Sequence, residues 1–420
     1  MLARRRRPLA PDPGGITQLS TARIVDAVAD AAARWTDADF PPRVRVVRAL
    51  VERMGYTEPV VDYALDALFG ALDARTLRST IAGELGSLDA LDGFVARPGR
   101  PDVAYRGVER VAIVSSDTTI GVALPSLAYA LCAGSSAIVK DRNDRLIASF
   151  ARTLAEERPE LGSRVRADVW DGSDDAFSRS HLERADTVVA FGRSEALRAI
   201  RAQLRADARF VAYGHRTSIG YVERDALASD ALAREAARGI ARDALLYDGD
   251  GCLSLHVAFV ERGGALDPAA FARLVSSACD ETSIEFPAAY DADAALTAYG
   301  RAAAFRAAQG AGAFFGGSVA PHAVALDPPA AEPPPFVRRL IALYSVDAPD
   351  EALAFVRGHA VPLEAVAFAS FEPRADALAF AVASGASRIA TLGSLQTPPF
   401  GGEHGGVGRI LPFVRAIYRG

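Results

Sequence analysis

Apolar residues recur at every third or fourth position over much of the chain before residue 100, and this spacing predicts amphipathic helices. One helix is predicted over residues 21–35, with Ser20 as its N-cap. A second begins at Pro41-Pro42 and ends at Met54, where Gly55 is the stop signal. A third follows Thr57-Glu-Pro. The first part of the chain is therefore predicted to be mainly helical.

The pattern changes near residue 108 to short apolar runs rich in β-branched residues, with helical runs between them. Strands are predicted at 111–115, 137–139, 167–170, 187–191 and 210–213, and helices at 122–132, 144–157 and 194–205. This alternation is typical of βαβ units and predicts a parallel, doubly wound sheet, which binds ligands at the carboxyl ends of its strands. No Gly-x-Gly-x-x-Gly motif follows these strands, so the common dinucleotide fingerprint is missing.

The second half of the chain repeats the alternation. Helices are predicted over 225–246 and 268–280, and strands at 340–346, 365–369 and 388–392. A stiff proline-rich loop occupies 327–335, and the glycine-rich residues 397–409 are expected to fold over a site without regular structure. The predicted fold class is α/β, with two doubly wound parallel-sheet domains and a helical N-terminal segment.

Composition excludes several classes of function. The 420 residues carry a net charge of −5, which offers no basic field for nucleic acid. No apolar run approaches the ~18 residues of a membrane span, and no apolar segment follows Arg4 to Arg7 to form an export signal. The three cysteines are odd in number and far apart, which indicates a reducing, cytoplasmic environment. No cysteine or histidine pair has zinc-ligand spacing.

Cys252 is the candidate nucleophile. It follows Gly249 and Gly251 in a short loop, and a strand with period-2 alternation begins directly after it. Glycines at such a turn let the backbone approach a bound molecule. The alternative is a buried core cysteine, because free cysteine is among the most buried residue types. These residues alone leave both interpretations open.

Lys140 is a candidate for a specific binding role. Lys140 is the only lysine among 47 basic residues, and Asn143 is the only asparagine. Arginine cannot replace lysine where a compact ammonium on a flexible stem is needed. Chance survival of a single lysine is the alternative.

Five sequence motifs, taken together and in this order, point to one protein family. They are Ala133-Gly-Ser-Ser-Ala-Ile-Val-Lys140, Ala190-Phe-Gly-Arg-Ser194, Tyr213-Gly-His-Arg-Thr-Ser-Ile-Gly220, Gly251-Cys252-Leu-Ser-Leu-His256 and Leu392-Gly-Ser-Leu-Gln-Thr-Pro-Pro399. Together they resemble the aldehyde dehydrogenase superfamily and, within it, the acyl-CoA and acyl-protein thioester reductases of the LuxC type. The resemblance covers nearly the whole chain. It implies a helical segment over 1–104, a nicotinamide-cofactor-binding domain over 105–247, a catalytic domain over 248–396, and a glycine-rich segment over 397–420 near the active site.

The resemblance also implies a reaction. Cys252 would attack a fatty acyl thioester, supplied by acyl-CoA or an acyl-carrying protein, and hydride from the cofactor would reduce the acyl-enzyme to an aldehyde. Lys140 would bind the adenosine ribose, and Gly192 and Ser194 would lie under the pyrophosphate. NAD-preferring relatives often place a glutamate where this chain has Asn143, preceded by Arg142. An amide beside a cation tolerates a 2′-phosphate, so we predict NADPH. By analogy with the superfamily we expect a homo-oligomer.

Two departures keep alternatives open. The oxyanion-hole asparagine of the superfamily is replaced by Asp117, and losing one donor typically costs ~2.7–4 kcal/mol of barrier. Either Asp117 is protonated and donates, or Thr118 or Thr119 donates, or the enzyme is slow. The chain could then be a catalytically impaired partner subunit.

The second departure concerns the general base. An aldehyde-oxidising dehydrogenase needs a glutamate to hydrolyse the thioester, but residues 210–221 contain no acidic residue, which favours reduction. An acid from elsewhere, such as Glu332 or Glu403, would restore oxidation. His215 and His404 lie in glycine-rich loops and are candidates for contacts near the site, although a structural role is favoured for each. His256 is expected to pack or to support residues that contact the site.

Overall fold

The computed structural model describes residues 19–116, 119–141, 145–169, 175–308, 313–317, 320–328 and 336–420. Its first part is helical, as predicted, and ends in a hairpin that the pattern did not predict. The elements are α1 (Thr21–Ala33), α2 (Pro41–Met54), α3 (Glu58–Gly70), α4 (Ala74–Leu85), β1 (Val95–Arg97) and β2 (Arg100–Gly107). Gly55 ends α2 at φ 69°, a left-handed conformation that suits glycine.

The next segment forms a five-stranded parallel sheet in the order β5-β4-β3-β6-β7. Its elements are β3 (Arg110–Val114), α5 (Leu124–Cys132), β4 (Ser136–Lys140), α6 (Leu146–Glu157), α7 (Pro159–Gly162), β5 (Val165–Asp168), α8 (Asp175–Leu182), β6 (Thr187–Phe191), α9 (Ser194–Ala202) and β7 (Arg209–Tyr213). The predicted strands are confirmed to within two residues. Buried apolar residues on β3, β4 and β6 form its core, because both faces of a doubly wound sheet are covered.

The third segment forms a seven-stranded sheet in the order β10-β11-β12-β9-β8-β13-β14, parallel except for β10 at one edge. Its elements are β8 (Thr217–Val222), α10 (Asp230–Leu245), β9 (Leu255–Glu261), α11 (Pro268–Glu285), α12 (Ala292–Ala308), β10 (Ala313–Gly316), β11 (Ala323–Asp327), β12 (Leu340–Val346), α13 (Pro349–Gly358), β13 (Leu363–Phe368), α14 (Ala375–Ala383) and β14 (Arg388–Thr391). The predicted two-sheet α/β class is therefore confirmed.

The chain passes between the two sheets earlier than the expected domain limits suggest. β7 ends at Tyr213 in the five-stranded sheet, and β8 begins at Thr217 between β9 and β13 of the seven-stranded sheet. Strand β8 and helix α10 thus pack with the second sheet although they lie within 105–247. The passage between the sheets therefore lies before residue 247, and the domain boundary expected there stays a prediction.

The chain ends in a strand that returns to its first part. β15 (Val414–Arg419) pairs antiparallel with β2, which gives a three-stranded sheet in the order β1-β2-β15. This strand was not predicted, because most of its residues are exposed and lack a clear apolar alternation. Among the described helices, none combines the length and apolar character needed to cross a membrane.

Candidate active site

A cavity of about 1430 Å³ lies between the two large sheets. One wall comes from the carboxyl ends of β3, β4, β6 and β7 and includes Ser115, Lys140 and Gly192. The opposite wall comes from the amino ends of β8, β9, β12, β13 and β14 and includes Cys252. Residues 396–400, 403–405, 407 and 409 line a third side. The cavity therefore occupies the position where a doubly wound sheet binds its ligands.

The loop that carries Cys252 has an unusual backbone. Tyr247 and Asp248 adopt left-handed φ values of 63° and 54°, followed by Gly249 at 81° and Gly251 at 121°. A non-glycine residue in this conformation costs roughly 1–3 kcal/mol, so the surrounding structure must hold it. The two glycines that marked this loop in the sequence therefore have a conformational reason.

Two adjacent arginines hold the loop from the side of β12. Arg339 is buried, and its Nε donates to Asp248 Oδ1 at 2.5 Å. Its other nitrogens donate to Ser283 Oγ at 3.2 Å and to the Phe286 carbonyl at 2.7 Å. Arg338 Nη2 donates to Asp250 Oδ2 at 2.9 Å. A buried carboxylate needs such partners, and the ion pair of Arg339 with Asp248 fixes the loop at its left-handed turn.

The other side of the loop is held by β8 and by the C-terminal signature. Ser218 Oγ donates to the Cys252 carbonyl at 2.8 Å, which joins the loop to β8. Gln396 Nε2 donates to Ser254 Oγ at 2.9 Å and to the Asp243 carbonyl at 3.0 Å. The stretch from Leu392 to Pro399 therefore positions the cysteine loop, and its hydrogen bonds go to Ser254 and Asp243 and not to the thiol.

Helix α10 supports that signature loop in turn. The Asp243 carboxylate accepts from Gly393 N at 2.6 Å and from Leu395 N at 3.0 Å. Gly239 lies directly against Leu392, and a Cβ added there would come within 2.8 Å of the Leu392 carbonyl carbon. Only glycine permits this approach of helix and loop.

Burial makes the Cys252 thiol a weak acid. Burial is the main cause that raises its pKa to about 11, and the charge on Glu364 raises it further. Arg216 and Arg388 act in the opposite direction. The resting form at neutral pH is therefore the thiol, and catalysis requires a group or a ligand that favours its ionisation.

We expect alkylation of Cys252 by iodoacetamide to accelerate about tenfold per pH unit from pH 7 to pH 10, because only the thiolate reacts and the pKa of the thiol is about 11. Intact-mass spectrometry over time measures the rate. Cys132 and Cys279 are internal controls, since both are buried and burial raises the pKa of each thiol. A plateau near pH 8 would contradict the expectation.

The opposite wall has features that fit a dinucleotide. Lys140 is the last residue of β4 and lines the cavity. Gly192 and Arg193 connect β6 to α9 and also line it. Among the described residues no side chain caps the N-terminus of α9, so its first backbone N–H groups can donate hydrogen bonds to a phosphate. Ser194 begins α9 and is exposed, whereas Arg193 and Ala196 form the cavity wall there.

Part of the predicted site lies outside the described residues. This holds for Asp117 and Thr118 at the oxyanion position, for Arg142 and Asn143 at the cofactor-selecting position, and for Glu332. Thr119 is described, and its hydroxyl oxygen lies 4.0 Å from where a Cβ on Gly251 would stand. Of the donors considered for the oxyanion hole, Thr119 is therefore close to the cysteine loop.

All three histidines that the sequence singled out, His215, His256 and His404, border the cavity. The ring of His404 stacks on Tyr213 with centroids 4.0 Å apart. Burial lowers the pKa of His404 to about 3 and that of His256 to about 4, so both are neutral at physiological pH. His256 packs edge-on against Phe336 and beside Gly249.

Three charged residues near Cys252 were missed in the sequence. They are Arg216 just before β8, Glu364 as the second residue of β13, and Arg388 as the first residue of β14, and all three line the cavity. The strands are parallel, so their amino ends meet at one edge of the sheet beside the cysteine loop. A single carboxylate in the apolar run Leu-Glu-Ala-Val-Ala-Phe was the one available signal for Glu364.

The whole chain is similar in structure to solved aldehyde dehydrogenases. It matches a NAD-dependent benzaldehyde dehydrogenase from Corynebacterium glutamicum with a TM-score of 0.65 and 15% identity, over 96% of this chain and 86% of that chain. It matches succinic semialdehyde dehydrogenase from Streptococcus pyogenes, solved with NADP+, with a TM-score of 0.69 and 13% identity, over 96% and 91%. The fold is therefore that of the aldehyde dehydrogenase superfamily.

The family follows from a match in sequence. The family model described as acyl-CoA reductase (LuxC) matches residues 16–416. The chain belongs to the LuxC acyl-CoA reductase family, oxidoreductases that make aldehydes from acyl thioesters. This confirms the resemblance seen in the motifs. No match was found among the curated proteins.

Proposed function

We propose that this protein reduces a long-chain fatty acyl thioester to the aldehyde with NADPH, through a covalent acyl-Cys252 intermediate. The observation that carries the proposal is the position of Cys252, which lies on a left-handed loop across one cavity from Lys140 and the N-terminus of α9. One wall thus offers a nucleophile for the acyl group, and the other offers groups that bind a dinucleotide.

The proposed division of labour follows the two sheets. The five-stranded sheet would bind the cofactor, with Lys140 on the adenosine ribose and with Gly192 and the N-terminus of α9 at the pyrophosphate. When bound, the cofactor supplies hydride to the acyl carbon. The seven-stranded sheet would hold the acyl group on Cys252, and the cysteine backbone N–H with Thr119 would stabilise the oxyanion. Asp117 stays in the proposal as the alternative donor to the oxyanion, and Arg142 stays as the cation beside the 2′-phosphate of NADPH.

The cavity wall supports a fatty acyl substrate. Helix α3 contributes an apolar surface of small residues with one leucine, formed by Ala64, Ala67, Leu68 and Ala71. Ile120 and Phe400 extend this surface. Such a wall suits an alkyl chain, because burying each CH₂ contributes roughly 0.8 kcal/mol. The donor would be acyl-CoA or an acyl-carrying protein.

NADPH oxidation with acyl-CoAs of increasing chain length tests the proposal. We expect turnover with long chains, and a kcat/KM at least about tenfold higher for NADPH than for NADH, because a cation at Arg142 would pair with the 2′-phosphate. Equal efficiency with both cofactors would contradict the NADPH assignment. Turnover limited to short acyl chains would contradict the long-chain assignment.

A second function is favoured by one observation. Glu364 borders the cavity beside Cys252, and a carboxylate there could activate water for thioester hydrolysis, as an aldehyde-oxidising dehydrogenase requires. Release of free acid from an aldehyde with NADP+ would support oxidation. Nucleotide binding without turnover in either direction would instead indicate a catalytically impaired partner subunit. A cytoplasmic location and a homo-oligomeric state complete the proposal, and size-exclusion chromatography with light scattering tests the latter.

A further inference from the structure

The side chain of Glu364 is placed by an irregularity in strand β13. Along the pairing of β13 with β8, Leu363 lies opposite Thr217 and Ala365 lies opposite Ser218, so the register shifts at Glu364. An extra residue of this kind turns its side chain away from the regular alternation, and such bulges are common beside active sites. Ser218 is also the residue whose hydroxyl holds the Cys252 carbonyl. The bulge and the cysteine loop are therefore joined through one residue.

The carboxylate of Glu364 is buried, and among the described residues its two oxygens have one hydrogen bond and one longer ion-pair contact. The residue is 5% exposed and lines the cavity. Its Oε1 accepts from Gly405 N at 3.3 Å, and its Oε2 lies 3.8 Å from Arg216 Nε, which is beyond hydrogen-bonding distance. A carboxylate with these contacts can accept a further hydrogen bond or a proton.

Arg388 and Arg216 line the same cavity as Cys252 and Glu364. Arg388 Nη2 donates to the Ser394 and Leu395 carbonyls at 2.8 and 3.1 Å. Its Nη1 is buried without a hydrogen-bond partner among the described residues. Arg216 Nη1 donates to Ser387 Oγ at 2.9 Å. Two cations and one carboxylate thus line the cavity that Cys252 borders, and the two arginines lower the pKa of its thiol, so they favour an anion formed there.

We propose that Glu364 takes the proton of the Cys252 thiol and returns it to the leaving thiolate of the substrate. This rests on the proposed function and deepens it. The S–H bond of Cys252 breaks as its sulfur forms a bond to the acyl carbon and its proton moves to the Glu364 carboxylate. The bond between that carbon and the substrate sulfur then breaks, so the acyl group stays on Cys252 and the donor leaves as a free thiol carrying the proton from Glu364. Glu364 ends ionised, ready for the next substrate.

Acyl transfer to Cys252 can be measured without any nucleotide, which separates this inference from the proposed function. The full chain is mixed with a long-chain acyl-CoA, and formation of acyl-Cys252 is followed by intact-mass spectrometry. We expect Glu364→Gln to slow acylation by about 10²- to 10⁴-fold, the usual range for losing a general base. Glu364→Asp should recover part of the rate, because it restores the carboxylate.

For the alkylation of Cys252 by iodoacetamide we expect the opposite effect, a faster reaction in Glu364→Gln. The charge on Glu364 raises the pKa of Cys252, so its removal should speed alkylation at pH 8 by about threefold or more. A structural defect in the loop would not make the thiol more reactive while slowing acyl transfer. Glu372→Gln is the control, since Glu372 is an exposed carboxylate outside the cavity lining and should leave the alkylation rate unchanged.

Slower acylation together with faster alkylation supports the proposal. Unchanged acylation in Glu364→Gln overturns it, whatever the alkylation rate, and so does an unchanged alkylation rate. If the glutamine variant does not fold, an acylation rate of Glu364→Asp equal to that of the unmodified protein overturns it. Failure of NADPH turnover with normal acylation would count against the proposed reductase and not against the role of Glu364.

Discussion

Replacing Cys252 with alanine is expected to lower acyl-CoA reduction by on the order of 10⁴-fold or more, because no other described thiol borders the cavity. The alanine variant cannot form an acyl-enzyme, so the intact mass should stay unchanged after mixing with acyl-CoA. Nucleotide binding should persist, since Lys140 and α9 lie on the opposite wall. Steady-state NADPH oxidation and nucleotide titration by fluorescence measure the two effects.

Cys279→Ala provides the matched control for this prediction. Cys279 is fully buried on α11 and packs in the core of the seven-stranded sheet. Its replacement removes one sulfur from the chain without removing a group from the cavity, so turnover should remain. Retention of more than about one hundredth of the activity by Cys252→Ala would exclude the covalent route, because nucleophile removal costs far more than that.

Replacing Arg339 with methionine is expected to destabilise the folded chain by about 3–5 kcal/mol, because it leaves the buried Asp248 carboxylate without its partner. The bonds to Ser283 and Phe286 are lost as well. The left-handed turn before Cys252 then loses its support, so acylation of Cys252 should fall together with stability. Urea unfolding followed by circular dichroism measures the first effect, and the acyl-transfer assay measures the second.

Arg338→Met is the control beside it in the chain. The side chain of Arg338 is 41% exposed, and its pair with Asp250 lies partly in solvent. Such pairs contribute about 0–1 kcal/mol. A similar loss of stability in both variants would show that the buried pair of Arg339 and Asp248 is not what holds the loop.

Local patterns predicted most of the elements accurately. The strands of the five-stranded sheet, β12 and the helices α2 and α3 follow from apolar periodicity and from breakers such as Gly55. Several strands were missed, among them β1, β2, β10 and β11, and two of the missed strands, β8 and β15, show why. β8 lies in a glycine-containing stretch that was noted only as a motif, and β15 is mostly exposed, so neither shows the usual alternation.

The sequence by itself determined the family, the element order and the likeness of the 252 loop to a nucleophile loop. These depend on contiguous residues, so motifs and periodicity record them directly. Only the tertiary structure decided which charges surround Cys252. Arg216, Glu364 and Arg388 are separated from it by 36, 112 and 136 positions, counted from the sequence. The parallel order β9-β8-β13-β14 brings their strands to one edge of the sheet, and strand order is a property of the folded chain that no local pattern encodes.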